Sequence, residues 1–347
     1  MTAPLRLVVI GLGARARTWL KVIAARDDAT VVGLADPDAG ARALAREVFP
    51  SAETAPDAAA LLRRVEADAA LLVTPPGRRE AQIEACLEHG LDILAEKPLA
   101  DDVALAARYV AQAEAAGRTL LVGLNFRYLP VTIAYRDALQ RGLVGRAEFA
   151  RFTYERWRDG KLSHLNKYPL SMPHPMLWEQ SIHHFDLMRH VYGVEPERID
   201  ARCFNPSWSM YRGAANVFAL IEFAGGMQLS YQGTWAGGVD RLDFEWRSDC
   251  SEGVLIQRDM FGELVAARRA ERDFRPLPLA PHEPWITDAA GLLDMAIGAF
   301  AGRGPVQCTG RDHLHSLMML EACIRSSERG GPVEMEEVRA ALRTAPQ

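Results

Sequence analysis

The sequence lacks a long apolar run, a paired-cysteine motif and an excess of either charge, and each absence closes off a class of function. No stretch approaches the roughly 20 apolar residues that a membrane-spanning helix needs, so no membrane role is expected. The apolar run nearest the N-terminus begins at Leu5 and breaks at Gly11. It is too short for the core of a secretion signal, and no small-residue cleavage site follows it. The five cysteines (Cys86, Cys203, Cys250, Cys308 and Cys323) are odd in number, widely spaced and without a C-x-x-C pair. Reduced thiols in a reducing compartment are expected, and with them a cytoplasmic location. Lys and Arg number 40 against 45 Asp and Glu, for a net charge of -5, so no basic surplus recruits nucleic acid or an anionic membrane. There is no internal repeat and no low-complexity tract. His313-x-His315 is the nearest thing to a metal motif. Two residues apart on a helix these rings face different directions, and no cysteine or acidic cluster completes a site, so no metal is expected.

What is present is a globular composition, 49% hydrophobic and 24% charged over 347 residues, enough for about two domains. The first third alternates strand and helix patterns. Apolar runs at 5–10, 30–35, 69–73, 92–95 and 120–123 read as strands. Between them, 16–25, 38–48, 57–65, 80–88 and 103–116 read as helices. Such alternation predicts a parallel sheet covered by helices. Beyond about residue 125 strand patterns follow one another at 148–154, 198–204, 217–223, 228–234 and 242–247. Ala224-Gly225-Gly226 reads as a hairpin turn, and helices are expected at 178–192, 286–300 and 313–329. The expectation is an α/β Rossmann domain over 1–124, followed over 125–347 by an α+β domain with an open, mostly antiparallel sheet.

Gly11-Leu12-Gly13-Ala14-Arg15-Ala16 fits G-x-G-x-x-A directly after a strand and before a helix. In that setting the first glycine serves a tight turn, the second lets backbone approach a pyrophosphate, and the small Ala16 lets helix and strand pack closely. The helix N-terminus adds free N–H groups and partial positive charge. Asp36, some 20 residues on, can accept from both ribose hydroxyls and would repel a 2′-phosphate. NAD is therefore preferred, with NADP as the second choice because Arg15 could serve a phosphate.

Further along come Thr74-Pro75, Ala95-Glu96-Lys97-Pro98-Leu99, Gly123-Leu124-Asn125-Phe126-Arg127-Tyr128 and Glu179-Gln180-Ser181-Ile182-His183-His184-Phe185-Asp186. With GLGARA and Asp36-Pro37-Asp38, this series resembles the glucose-fructose oxidoreductase / inositol dehydrogenase / rhizopine-catabolism (Gfo/Idh/MocA) family. GRDHLHSLMMLEACIRSS at 310–327 resembles its closing helix. The resemblance implies hydride transfer between a nicotinamide and a carbohydrate or cyclitol, and a homo-oligomer, dimer or tetramer, formed through the C-terminal sheet. It implies Lys97 as catalytic lysine and His183 as catalytic histidine, with Glu179 completing the acid/base group. Thr74, Pro75 and Asn125 would lie along the cofactor and Arg127 near the substrate. The expected cofactor set is Gly11, Leu12, Gly13, Ala14, Arg15, Asp36, Thr74, Pro75, Arg79, Glu96, Lys97 and Asn125. Three positions depart from the family pattern. Glu179 and Ser181 stand where Asp and Gly are usual, and Arg79 where His is common.

The residues carry this chemistry by their own properties as well. A lysine ammonium beside a hydroxyl stabilises a developing alkoxide, and an imidazole near its intrinsic pKa of about 6.5 can relay the proton. At about 100° per helical residue, Glu179, His183 and Asp186 fall on one face while His184 points away. By spacing alone, a satisfied, partly buried histidine is the stronger reading; with the Lys97 signature, the catalytic reading is preferred. Lys97 itself follows a parallel strand's carboxyl end, where ligands of open α/β sheets bind. Residues 154–161 alternate aromatic and charged side chains ahead of a proline-containing loop at 159–177. Tyr154, Arg156 and Trp178 are expected substrate contacts, with a solvated strand edge and an interface as the equal alternative. Aromatic faces suit a sugar ring and arginine suits a carboxylate or phosphate, which raises an acidic sugar as substrate. The function read from the whole is NAD(P)-dependent oxidation of a secondary hydroxyl on a sugar, sugar acid or inositol-like cyclitol. The alternatives are an NADPH-dependent carbonyl or imine reductase and a non-catalytic nicotinamide-binding regulator.

Overall fold

The computed structural model describes residues 3–344. The chain forms two compact units. The first opens with β1 (Leu5–Ile10), α1 (Ala14–Ala24), β2 (Ala29–Ala35), α2 (Ala39–Val48), β3 (Glu53–Ala55), α3 (Ala58–Leu62), β4 (Ala69–Leu72), α4 (Glu80–Glu88), β5 (Asp92–Ala95), α5 (Val103–Ala115) and β6 (Leu120–Val122). The six strands form one parallel sheet in the order β3-β2-β1-β4-β5-β6. Of its central strands, β4 is buried throughout and β1 from Leu7 to Ile10, as apolar runs require when helices cover both faces. Asp38, Asp57 and Asp102 cap α2, α3 and α5 by accepting from backbone N–H groups of the first turn. α1, whose N-cap is Gly13, and α4, whose N-cap is Arg79, have no side-chain cap.

The second unit contains α6 (Pro130–Gln140), β7 (Ala147–Arg156), α7 (Ile182–Tyr192), β8 (Pro196–Phe204), β9 (Asn216–Phe223), β10 (Gln228–Thr234), β11 (Leu242–Cys250), β12 (Gly253–Asp259), β13 (Gly262–Arg268) and β14 (Arg275–Pro276). The turn between β9 and β10 uses Gly225 and Gly226, both at φ 83, a conformation closed to most side chains. After β14 the chain returns to the first unit for residues 282–314, which include α8 (Thr287–Phe300). There α8 packs against α1 and the turn at Asn125–Tyr128 and buries Leu292, Leu293 and Ala296. Then α9 (Gly310–Arg329) starts in the first unit and ends in the second, followed by β15 (Val333–Glu334) and α10 (Met335–Thr344). The nine-stranded sheet runs β14-β13-β12-β11-β7-β10-β9-β8-β15 and is antiparallel except for the β7–β10 pair. Phe152, Tyr231 and Trp246 fill the inner face of this sheet. The fold class is the expected one. The division differs from 1–124 and 125–347, because residues 125–128 and 282–314 pack with the first unit.

Among the described residues no helix is long and apolar enough to cross a membrane. All five cysteines are free thiols.

Candidate active site

In the first unit the expected residues gather at the carboxyl ends of the parallel strands. Gly11 follows β1, Asp36 follows β2, Thr74 follows β4, Lys97 follows β5 and Asn125 follows β6. Gly11 has φ 90, and a Cβ there would stand 2.7 Å from Thr74 Cγ2 and 2.9 Å from the Val73 carbonyl carbon, so only glycine fits. A Cβ on Gly13 would meet nothing within 4 Å. That exposed step, the exposed Ala14 and the side-chain-uncapped N-terminus of α1 leave room and N–H donors for a pyrophosphate, so the turn fits a dinucleotide. Asp36 accepts from the N–H of Leu12 at 2.8 Å and of Asp38 at 2.8 Å, which fixes its carboxylate at the rim of this turn.

Arg15 does not stand by Asp36. Its Nε donates to Glu96 Oε1 at 2.6 Å, and Trp19 Nε1 donates to the same oxygen at 2.8 Å. Burial alone would push the Glu96 carboxyl up. The charge of Arg15, the two hydrogen bonds and the charge of Lys97 outweigh it and hold the group below the usual carboxylate range. The basic group that does stand by Asp36 is Arg42, whose Nη1 donates to the carbonyls of Asp36 at 2.5 Å and Pro37 at 3.2 Å. Sequence reading missed it, although its place one turn into the helix after Asp36 was the available signal.

Arg79 is 1% exposed and spends its guanidinium on backbone. Nε and Nη2 donate to the Thr74 carbonyl at 3.2 and 2.6 Å; Nη1 donates to the carbonyls of Glu96, Pro98 (2.5 Å) and Leu99 (3.2 Å). Two of these flank Lys97 directly, so the arginine ties the strap carrying Lys97 to the Thr74-Pro75 turn. Expected as a cofactor contact, Arg79 is a brace instead. Four preorganised acceptors account for a buried guanidinium better than a ligand does. The far end of the strap is held by His313, whose Nε2 accepts from the Leu99 N–H at 3.3 Å. Asn125 turns inward and donates to the buried Asp288, whose carboxyl is pushed up by burial against the pull of that bond. Arg127 donates to Asp312 at 2.6 Å.

In the second unit, residues 177–181 wind as a single π turn before α7 begins. The even α-helical spacing used to put Glu179 and His183 on one face therefore does not carry across this join. π turns in helices are rare and concentrate at functional sites. Glu179 accepts from the Tyr168 hydroxyl at 2.6 Å, and Tyr168 sits on a short 3-10 turn inside the loop. His183 and Asp186 are buried, and Asp186 accepts from Ser316 Oγ at 3.3 Å. His184 is a structural ring. The Gln180 amide donates to its Nε2 (3.0 Å), its Nδ1–H donates to Tyr231 Oη (2.8 Å), and Tyr231 donates to Ser181 Oγ (2.8 Å). Burial pushes its pKa down to about 3, so the ring stays neutral. Trp178 is buried in the π turn, and Tyr154 is buried on β7 with its ring 4.9 Å from that of His184. Arg156 ends β7 exposed.

Residues 5–124 match the GFO/IDH/MocA model described as an oxidoreductase family with an NAD-binding Rossmann fold, and residues 132–256 match the GFO/IDH/MocA C-terminal domain. The chain is 26% identical over 341 residues to the D-apiose dehydrogenase of Paraburkholderia graminis, covering 96% of this chain and 90% of that protein. It is 26% identical over 354 residues to inositol 2-dehydrogenase 1 of Saccharopolyspora erythraea, covering 95% and 96%. The crystal structure of an inositol dehydrogenase homolog complexed with NAD+ from Azotobacter vinelandii shares the fold, with a TM-score of 0.83 at 18% identity, covering 96% of this chain and 98% of that one.

Proposed function

Because the chain belongs to the Gfo/Idh/MocA oxidoreductase family, with that family's NAD-binding Rossmann domain, we propose that it oxidises a secondary hydroxyl of a sugar, sugar acid or inositol-like cyclitol. The observation that carries this reading is the strap at the end of β5. It is braced by Arg79 and His313 on either side of Lys97, two strands from the Gly11–Gly13 turn in the same sheet. A scaffold with no reaction to perform has little use for a lysine fixed at that edge.

Bound NAD would supply the hydride acceptor. The Gly11–Gly13 turn and the first N–H groups of α1 would hold its pyrophosphate, and Asp36 its ribose. The Lys97 ammonium lowers the cost of the negative charge that builds on the substrate oxygen. The His183 imidazole takes the hydroxyl proton, and Glu179, steadied by Tyr168, completes the acid/base group. Trp178, Tyr154 and Arg156 are offered as substrate contacts. A reductase working with NADPH is the second reading, and Arg42 beside Asp36 is what favours it.

We also propose a homo-oligomer formed through the outer face of the nine-stranded sheet. Phe204, Phe218 and Leu220 are exposed there on the neighbouring strands β8 and β9, with Phe204 and Phe218 5.0 Å apart edge to face, and Phe149 is exposed on β7, two strands from β9. A monomer rarely leaves such a cluster open to water.

The test is NADH or NADPH absorbance with each oxidised cofactor against sugars, inositols and sugar acids. Reduction of NAD+ by a member of the panel supports the dehydrogenase. Tight NADPH binding, with turnover only on carbonyls and none on alcohols, overturns it in favour of the reductase.

A further inference from the structure

We propose that the substrate is an anionic polyol, and that Arg156 and Arg158 receive its charged group. This rests on the dehydrogenase reading and narrows it.

Side chains alternate along a strand, so Tyr154, Arg156 and Arg158 form one row on one face of β7 and its continuation. Tyr154 identifies that face. Its ring lies 4.9 Å from that of His184 on α7, the helix that also carries His183. The row therefore starts beneath the helix of the proposed base and runs out past the carboxyl end of the strand. Arg158 is held in place there. The Trp157–Ala236 bridge keeps the chain paired beyond β7. The Arg158 N–H donates to the Trp235 carbonyl at 2.9 Å, and its own carbonyl accepts from the Tyr211 hydroxyl at 2.7 Å. Its guanidinium stacks 4.2 Å from the centre of the Trp235 ring. Stacking immobilises the plane, and of its N–H edge only Nη1 is engaged, in a long 3.5 Å bond to the Tyr211 hydroxyl.

The cluster is rich in donors and short of acceptors. Among the described residues neither Arg156 nor Arg158 forms an ion pair; Arg156 and the buried indole N–H of Trp235 both interact with the Tyr154 phenol, and the indole makes no hydrogen bond of ordinary geometry there. Nearby, Asp159 Oδ1 accepts from the N–H of Lys161 at 2.9 Å, and Glu155 accepts from Gln232. Burial pushes the Tyr154 phenol up while the two arginine charges pull it back, so the phenol stays protonated, one more donor. Two guanidinium groups, an indole N–H and a phenol call for a ligand with several acceptor oxygens and negative charge. A carboxylate and a phosphate both meet that description.

The experiment compares D-gluconate and D-glucuronate (carboxylate), glucose 6-phosphate (phosphate), and D-glucose and myo-inositol (neutral). Each is assayed for NAD+ reduction and for calorimetric binding to the NADH-loaded protein, using wild type, Arg156→Gln and Arg158→Gln. The expected result is a preference for at least one anionic probe that falls roughly 10- to 100-fold in each variant, as for the loss of a charge-assisted hydrogen bond. The preferred anionic arm tells carboxylate from phosphate. Equal or better use of the neutral polyols, or an anion preference unmoved in both variants, overturns the proposal and leaves the dehydrogenase intact. Arginine-dependent binding of an anion with no turnover of any probe supports the subsite and counts against the dehydrogenase. Arg156 is exposed, so its variant is expected to fold even if Arg158→Gln disturbs the stack on Trp235.

Discussion

Lys97 and His184 make opposite demands on the same kind of experiment. If Lys97 stabilises charge on the reacting oxygen, Lys97→Ala should lower kcat by roughly 10²- to 10⁴-fold while NADH affinity, followed by cofactor fluorescence, stays within about twofold. A comparable loss of NADH binding would make it a cofactor residue instead. His183→Ala should slow turnover by a similar factor. His184 should matter to stability and through pH. Its folded pKa is held down to about 3 against 6.5 for a free ring. Below pH 6.5 the unfolded chain takes up a proton that the folded chain refuses. The stability tied to this ring is complete above about pH 6.5 and is lost as pH falls toward 3. The loss amounts to about 2 kcal/mol between pH 7 and pH 5. Urea midpoints of wild type and His184→Gln at those two pH values should differ in their pH dependence by that amount. Equal slopes would mean the ring is not buried neutral.

At the scale of elements, the brace on the Lys97 strap is the part most exposed to attack. Arg79→Met would strand the carbonyls of Thr74, Glu96, Pro98 and Leu99, at about 1–3 kcal/mol for each one left buried and unmet. Water or relaxation will recover some of them, so a net loss of roughly 3–5 kcal/mol in chemical denaturation is expected. Arg79→Lys keeps the charge but reaches fewer carbonyls, and should fold with a reduced kcat and little change in KM for NAD. An unchanged kcat in a folded Arg79→Lys protein would show that the strap holds itself. None of this was legible locally, since three of the carbonyls that Arg79 binds come from a second segment about 20 residues on and the sequence marks no such pairing. Elements with a clean pattern were legible to the residue, as in Glu80–Glu88 and Gln228–Thr234. The helix at Pro130–Gln140 was missed because its β-branched and aromatic residues weaken the helical signal and tertiary packing decides the outcome. The strands at Gly253–Asp259 and Gly262–Arg268 were missed because the turn between them lacks an Asn-Gly or Asp-Gly pair. The π turn at 177–181 has no period of its own to detect, so the Glu179–His183 geometry rested on the wrong helix.

For the molecule as a whole, the two-part architecture and the strand-end cluster from Gly11 to Asn125 could be read from motif order. The return of residues 282–314 could not, nor could the stacking of Arg158 on Trp235, because both join segments that are distant in sequence and carry no local mark of it. The exposed sheet face leads to a prediction at this scale. Light scattering should find a dimer or larger species for the wild type, and Leu220→Glu with Phe218→Glu should give a monomer that still binds NADH. A wild-type monomer would end the proposal. The one parallel pairing in the nine-stranded sheet has a consequence for synthesis. β7 joins Phe149 to Gln228, about 80 residues further along the chain, and its other neighbour, β11, is made later still. Closing a loop of that length costs about 4 kcal/mol in chain entropy before any contact repays it. While the ribosome works through those residues the middle strand of the second unit waits with both edges open, and only α7, made on the way, can cover Phe152 and Tyr154. During that interval an open strand edge is available to other chains, and pairing with them competes with folding.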